Sequence, residues 1–333
     1  MGVACLQLWL AIALVAVLDT FADEAPPQGR DWLRGRSQGA TGGGASEEPT
    51  FAVLDARWLF PALYVPEAGL VYCGIEKVAS SEWKRALRWM LGIPSWDSYG
   101  DNEVHNPFTN RIPHLYNQSP QTAWEIINDQ DWVKIVVVRD PVERALSGFL
   151  NKCLGTQWFN CPLHHTPEKV PGMPLLPGKG GRMRRARESL AAVRRFAEAD
   201  PKKAFLAFAE AAAGDIREKE EKDCQAINVH YRPQHCYCGL GDHGLVSAFR
   251  VIPFSNMTEE AAAAMQDLAV PTAERREKIA AFVRERFSQV LDAQAKKTGA
   301  SSDPLKERYF SEEALEVLHR AYAQDYQLFG PWL

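Results

Sequence analysis

Four consecutive β-branched residues, Ile135 to Val138, run straight into Arg139-Asp140-Pro141, and no other stretch limits the fold as strongly. An unbroken apolar run of this kind suits a parallel strand covered on both faces, because neither face then meets water. Asp140 is placed to cap a helix, Pro141 suits its first position, and Glu143 completes a capping-box-like pattern. Val142, Ala145, Leu146, Phe149 and Leu150 follow at 3-4-3-4 spacing, which makes one apolar helix face. Arg139 is thereby expected at the carboxyl end of a strand, with Arg144 and Ser147 on the polar helix face. Open α/β sheets bind their ligands at that edge.

A second unit of the same kind lies upstream, in "VYCGIEKVASSEWKRALRWMLG", residues 71 to 92. An apolar run through Val71 and Ile75 leads to Trp83, Ala86, Leu87, Met90 and Leu91 at helical spacing, with Trp83 read as core. Ser80 or Ser81 is placed to cap that helix. Free amides at its first turn, the positive end of its dipole and Lys77 together describe an anion site suited to phosphate. The plain alternative is an ordinary strand-to-helix turn with a solvated lysine. The turn does not match the Walker pattern and so disfavours a kinase-type P-loop, because Gly74 is its only glycine and Lys77 precedes Ser80 by three. Two strand-turn-helix units predict an α/β protein, a three-layer domain around a central, mainly parallel sheet.

The chain has 333 residues, 46% of them hydrophobic, enough for one large domain or two small ones. A net charge of −4 carries no nucleic-acid signature. Residues 1–22 read as a signal peptide or signal anchor: the first 18 are uncharged, Leu6 to Leu18 is apolar apart from Gln7, and Thr20-Phe21-Ala22 offers small residues at cleavage spacing. Residues 23–50, rich in Pro, Gly and Ser, read as a flexible stem, so the folded domain spans 51–333. Asn117-Gln118-Ser119 and Asn256-Met257-Thr258 are glycosylation sequons.

Beyond Cys5 there are six cysteines, an even number that suits three disulfides in a lumenal setting. Zinc is the competing reading, but Cys236-x-Cys238 is tighter than ordinary ligand spacing. Cys153 is expected to bridge to Cys161, and Cys224 to Cys236 or Cys238. Residues 93–120 read as a loop and Trp124 to Asp129 as a short helix. Phe205 and Phe208 are expected to anchor a helix in the core, and residues 272–297 to form a long charged helix. A last helix should run from Ser311 to Gly330, with Leu315, Leu318 and Tyr322 facing inward. The segment "RMRRARESLAAVRR" sets six arginines against one glutamate, a solvated face or a docking surface for a polyanionic acceptor.

The two strand-turn-helix units together resemble the paired nucleotide motifs of sulfotransferases, and most closely those of Golgi carbohydrate sulfotransferases acting on chondroitin, dermatan and related glycans. Lys77-Val78-Ala79-Ser80-Ser81-Glu82-Trp83 resembles that family's P-K-x-x-[ST]-[ST]-x-W loop, with Lys84-Arg85 following. Arg139 to Phe149 resembles its R-D-P-x-E-R-x-x-S-x-[FY] motif. "HYRPQHCYCGL" is similar to its H-[WY]-x-P-Q segment, and "RYFSEEALEVLHRAYAQDYQLFG" to its terminal Y-[YF]…Y-x-x-D-[YF]-x-L-F-G. The four stand in family order between about Val71 and Gly330. There are two departures: Glu76 takes the place of the usual proline, setting a carboxylate beside the anion loop, and the arginine-rich insert matches no part of the pattern.

The resemblance implies transfer of a sulfuryl group from 3′-phosphoadenosine-5′-phosphosulfate (PAPS) to a carbohydrate hydroxyl, with 3′,5′-ADP as product and no metal. It implies a turn, P-loop-like, that grips the phosphosulfate through Lys77, the amides of Val78 and Ala79, and the hydroxyls of Ser80 and Ser81. Arg139, Arg144 and Ser147 would hold the 3′-phosphate, although a salt bridge to Glu143 or Asp140 is the plain alternative for Arg139. A sugar hydroxyl needs a general base, and histidine is the usual one near neutral pH. His105 in "NEVHNPF" stands in the loop where family members carry a histidine; His114 is its neighbour and competitor, and His230 suits a structural part. The implied partner is a glycan or glycoprotein, with the membrane as a second partner through the N-terminal segment. The implied location is the Golgi lumen as a type II membrane protein, or outside the cell after leader cleavage. The sequence sets no oligomeric state. Two other readings stand beside this one, a P-loop-type phosphotransferase and a catalytically silent lumenal glycan-binding protein.

Overall fold

The computed structural model describes residues 59–98, 100–155, 160–173, 182–241, 244–298 and 303–333. The expected leader and stem, the first residues of the expected domain and residues 174–181 lie outside them, as do the side chains of 182–187.

In chain order, β1 (Ala62–Val65) and β2 (Leu70–Cys73) form an antiparallel hairpin, turned by Gly69 at φ 58°. A turn over 74–79 enters α1 (Ser80–Met90). The segment expected as loop carries a short helix, α2 (Asp101–His105), held by a Glu103 side chain that accepts from Gly100 N. α3 (Pro120–Asn128) is capped by Ser119 and so begins ahead of the expected start at Trp124. β3 (Val133–Val138) pairs parallel to β2, Leu70 against Val133 and Cys73 against Val136. α4 (Pro141–Gly148) runs on as a π-helical turn, Phe149–Cys153. α5 (Arg182–Ala199) and α6 (Pro201–Asp223) precede β4 (Arg250–Pro253), which lies parallel to β3 with Val138 against Pro253. α7 (Met257–Ala264), α8 (Ala273–Thr298), α9 (Asp303–Tyr309), α10 (Glu312–Ala321) and α11 (Ala323–Phe329) complete the chain.

The sheet order is β1-β2-β3-β4, with two of its three pairings parallel, in keeping with the expected α/β architecture. Adjacent residues of a strand point to opposite faces, and Val71 and Tyr72 are both buried, so both faces are covered. Trp83, Leu87 and Phe287 pack into the sheet's core. A second, helical core gathers Phe149, Phe205 and Phe208 with Leu318 and Tyr322. The register sets the carboxyl ends of β2 and β3 side by side, so the turn holding Lys77 and the residue Arg139 leave the sheet at one edge.

The expected last helix is broken at Tyr322 (φ −109°, ψ 20°) into α10 and α11. Its buried Tyr322 hydroxyl donates to Tyr231 O and the following turn presents Asp325 to the same segment, a long-range contact that overrides helical continuity. Leu315 is half-buried at the edge of the helical core. The six cysteines form three disulfides: Cys153–Cys161 as expected, Cys224–Cys236 from the two candidates, and Cys73–Cys238. The last of these joins the end of β2 to the "HYRPQ" segment across 165 residues of sequence. Among the described residues no helix is long and apolar enough to cross a membrane.

Candidate active site

The turn after β2 departs from ordinary backbone at two non-glycine residues, Lys77 (φ 71°) and Ala79 (φ 63°). Left-handed backbone crowds the Cβ of an L-residue and costs about 1–2 kcal/mol each time. That strain moves the helix boundary. Ala79, rather than either serine, is the N-cap, and no side chain caps α1. Ser80 and Ser81 instead occupy the first helical positions, with their hydroxyls turned toward neighbours in the cleft: Ser80 Oγ donates to Glu76 Oε2 (2.8 Å), and Ser81 Oγ lies 2.7 Å from His105 Nε2. The first intrahelical acceptor, Ala79 O, serves the amides of Glu82 and Trp83. The amides ahead of them lie at an eleven-residue helix's positive end.

The second unit forms as its sequence indicates. Asp140 Oδ1 accepts from Glu143 N (2.9 Å), with Pro141 at the first helical position. The Glu143 side chain does not close a capping box; it sits between Arg139 (3.4 Å) and Lys306 (2.5 Å). Burial alone would raise the Glu143 carboxyl, but Lys306 and Arg139 outweigh it and hold it below the usual range. The Arg139 guanidinium also lies 4.7 Å from the Phe254 ring centroid.

Arg139's main chain is clamped from a distance. Gln234 Oε1 accepts from Arg139 N (3.0 Å), and Gln234 Nε2 donates to Arg139 O (2.8 Å). Gln234 is fixed in turn by Asp325, which accepts from the amides of Gln234 (2.7 Å) and His235 (2.8 Å). Tyr326 OH donates to Asp140 Oδ2 (3.0 Å). The "HYRPQ" segment and the terminal helix therefore meet Arg139-Asp140 from behind. His235 locks this junction, with Nδ1 2.7 Å from Asp325 and Nε2 3.2 Å from Glu220. Burial would push its pKa down, but the two carboxylates outweigh it and lift it to about 9. A raised histidine pKa gives stability that is full below the unfolded value, about 6.5, and is lost as pH rises through the folded one. The melting temperature should therefore decline between about pH 6.5 and pH 9 to 10, and decline less in Glu220→Gln. Thermal denaturation across that range checks it.

Between the two units lies a cleft of about 520 Å³, within the ordinary size of small-molecule sites. Lys77, Ala79, Ser80, Ser81, His105, Arg139 and Ser147 all line it. The π-helical turn adds Asn151 and Lys152, and Gly148 just before it has a structural reason. A Cβ there would stand 2.8 Å from His230 O. Glu76 lies at the cleft's inner wall, its Oε1 3.0 Å from Lys84 Nζ and 3.1 Å from His105 Nδ1. Burial would raise its pKa, but Lys84, His105 and Ser80 together hold it well below the usual carboxylate range. His114 and His230 also line the cleft. Burial first, then neighbouring cations, pushes His114 down to about 4 and His230 to about 3.

Val78 buries its side chain in the core, so only its main chain is left to serve the turn. Arg144, expected at the 3′-phosphate, is fully buried and donates to Arg232 O and, at 3.4 Å, to Glu76 O. It braces the two cleft-forming segments from behind, because the "HYRPQ" segment covers what the helical period presents as a polar face. Sequence reasoning missed Lys84, Lys152, Asn151, Gln234 and Asp325; only Lys84, Gln234 and Asp325 carried a signal, since they fall within recognised segments. Among the described residues, one cluster has metal-ligand proximity, Cys224, His235 and Cys236, but its two sulfurs are joined to each other. On α5, Arg194 and Arg195 are exposed, and Arg194 donates to Leu154 O (2.9 Å) and Gly155 O (3.1 Å).

Residues 61–330 match the model of the Sulfotransferase family. Among curated proteins, the chain is 33% identical over 84 residues to carbohydrate sulfotransferase 10 of Xenopus laevis, covering 25% of this chain and 23% of that protein. It is 30% identical over 105 residues to carbohydrate sulfotransferase 10 of Pongo abelii and 29% identical over 105 residues to that of Homo sapiens, each covering 31% of this chain and 28% of the relative. The matched stretches span about a quarter of those relatives' length. No solved structure matches the chain.

Proposed function

The chain belongs to the sulfotransferase family, and from that premise we propose that it transfers a sulfuryl group from PAPS to a hydroxyl of a carbohydrate. One observation carries the reading: Lys77, Ser81, His105 and Arg139, drawn from three separate segments, line a single cleft. The donor set fits an anionic nucleotide, with a lysine and a helix N-terminus after β2 and an arginine after β3. When bound, PAPS supplies an activated sulfuryl group with 3′,5′-ADP as leaving group. Lys77, the amides of Val78 and Ala79, and the two serine hydroxyls would hold the 5′ side and steady charge that builds there. Arg139 and Ser147 would hold the 3′-phosphate, with Arg144 bracing them from beneath. His105 Nε2, on the cleft side beside Ser81, would take the proton of the acceptor hydroxyl. No metal enters this proposal.

The carbohydrate acceptor follows the names of the relatives, and the secretory pathway follows the three disulfides, which persist in oxidising compartments. The Golgi lumen is the proposed location, with residues 1–22 as anchor or cleaved leader.

In a thermal-shift titration 3′,5′-ADP should raise the melting temperature progressively without magnesium, adding about 2.7 kcal/mol of stability at a hundredfold excess over Kd. Radiolabelled transfer from PAPS to a panel of glycans tests the reaction and names the acceptor. A shift with ATP-magnesium in place of 3′,5′-ADP would support the phosphotransferase reading. Glu76, a carboxylate inside the anion turn, favours one other reading, a silent glycan-binding protein. That reading gains if neither nucleotide shifts the melt.

A further inference from the structure

Glu76 stands where the resembling pattern has proline, and its carboxylate is held from three sides: by Ser80 Oγ (2.8 Å), Lys84 Nζ (3.0 Å) and His105 Nδ1 (3.1 Å). Lys84 Nζ lies nearer still to the same Nδ1, at 2.7 Å. An ammonium only donates, so Nδ1 accepts from Lys84 in a neutral ring or donates to Glu76, but does not do both. A protonated imidazole removes the choice. Both ring nitrogens then carry hydrogen, and of the two groups at Nδ1 only Glu76 accepts. Lys84, by contrast, would repel that ring.

We propose that Glu76 is a positioning residue for proton transfer, the counter-charge and hydrogen-bond acceptor for His105 Nδ1 at the moment Nε2 takes the acceptor's proton. The proposal rests on the reading of His105 as base. In that step the acceptor O–H bond breaks and its proton passes to Nε2. The acceptor oxygen bonds to sulfur, and the bond from sulfur to the bridging oxygen breaks, its electron pair leaving with 3′,5′-ADP. Imidazole becomes imidazolium, and a carboxylate beside Nδ1 stabilises the charge created. Lys84 on α1, Lys77 on the turn and Lys152 on the π-helical turn all line the same cleft and oppose that charge, while His114 and His230 stay neutral near pH 7. Glu76 is the one carboxylate among the cleft-lining residues described. Its backbone is pinned as well, since Arg144 Nη1 donates to Glu76 O (3.4 Å).

The test compares Glu76→Gln, Glu76→Asp and His105→Ala as folded, full-chain proteins, with pH profiles of PAPS-dependent transfer. Glu76→Gln keeps the shape and loses the charge. Its kcat should fall about 10- to 100-fold, part of the 10²- to 10⁴-fold that a whole general base contributes, with acceptor KM little changed. The acid limb of the profile should move to lower pH by about one unit, because the imidazolium loses its counter-charge. Glu76→Asp, which keeps the charge, should recover part of the loss. In a His105→Ala background, Glu76→Gln should cost little more, since the two act as a unit. Imidazole NMR of the protein without donor gives a readout apart from activity: the His105 titration midpoint should move the same way in Glu76→Gln. An unmoved acid limb and an unmoved His105 midpoint overturn the proposal. Normal turnover in His105→Ala instead overturns the base assignment beneath it.

Discussion

Lys77→Ala is expected to lower sulfuryl transfer by roughly 10²- to 10³-fold, about 3–4 kcal/mol of transition-state stabilisation. The proposed role is electrostatic: a fixed cation at the end of β2, beside a helix N-terminus, where charge gathers on the leaving group. Such a cation also attracts the bound nucleotide, so affinity for 3′,5′-ADP should weaken as well, and kcat and the donor's KM should both worsen. The backbone adds a second, separable expectation. Lys77 sits at φ 71°, where an L-residue is strained and glycine is not. Alanine keeps that strain, and glycine relieves it. Lys77→Gly should therefore lose as much activity as Lys77→Ala while melting higher than Lys77→Ala. Initial-rate kinetics with a thermal melt of both variants checks the pair. Retention of normal transfer and normal 3′,5′-ADP affinity in Lys77→Ala would move the donor site away from this turn.

Local periodicity made the framework legible. The β-branched run at Ile135 announced a strand buried on both faces, and Asp140-Pro141 announced the helix start; both are local effects, decided within a few residues. The parallel pairing of β2 with β3 followed from two strand-turn-helix units in one chain. Other features were set by distant contacts. Ser80 and Ser81 look like caps in sequence, but the left-handed Lys77 and Ala79 shift the boundary and give both hydroxyls other partners. Helical spacing places Arg144 with Ser147 on a polar face, yet a carbonyl 88 positions away, that of Arg232, covers it. A period tells which positions share a face and not what packs there. The break at Tyr322 has the same origin, since its partner Tyr231 lies 91 residues earlier.

The candidate site was legible in residue type more than in contact. Lys77, His105, Arg139 and Ser147 line one cleft, as their segments suggested. The roles of Gln234 and Asp325 were not visible, although both stand in segments quoted for their resemblance. Each acts through hydrogen bonds to a main chain, which leaves no trace in residue chemistry alone. Glu76 was visible as a carboxylate beside an anion loop. Its partners Lys84 and His105 were not, because one sits a turn into α1 and the other in a segment that reads as loop.

His105→Ala should cut turnover by about 10²- to 10⁴-fold while leaving 3′,5′-ADP affinity nearly unchanged. The split distinguishes it from Lys77→Ala, because a base acts on the acceptor's proton and leaves the donor's charge alone. Three histidines line the cleft, and their surroundings differ in kind. His114 and His230 are desolvated and lie near cations, which pushes them to about 4 and about 3. An imidazole that protonates only there is a weak acceptor for a sugar hydroxyl's proton near neutral pH. His105 also has a cation, Lys84, at Nδ1, but it alone among them has a carboxylate there to offset it and a serine hydroxyl at Nε2, in the arrangement a proton acceptor needs. Activity should also fall on the acid side in the unmodified protein, since a base must be neutral to accept a proton. Should His105→Ala keep near-normal turnover while His114→Ala or His230→Ala loses it, the base moves to that histidine. The cleft, Lys77 and Arg139 would keep their assignments under that outcome, because donor binding does not depend on which imidazole takes the proton.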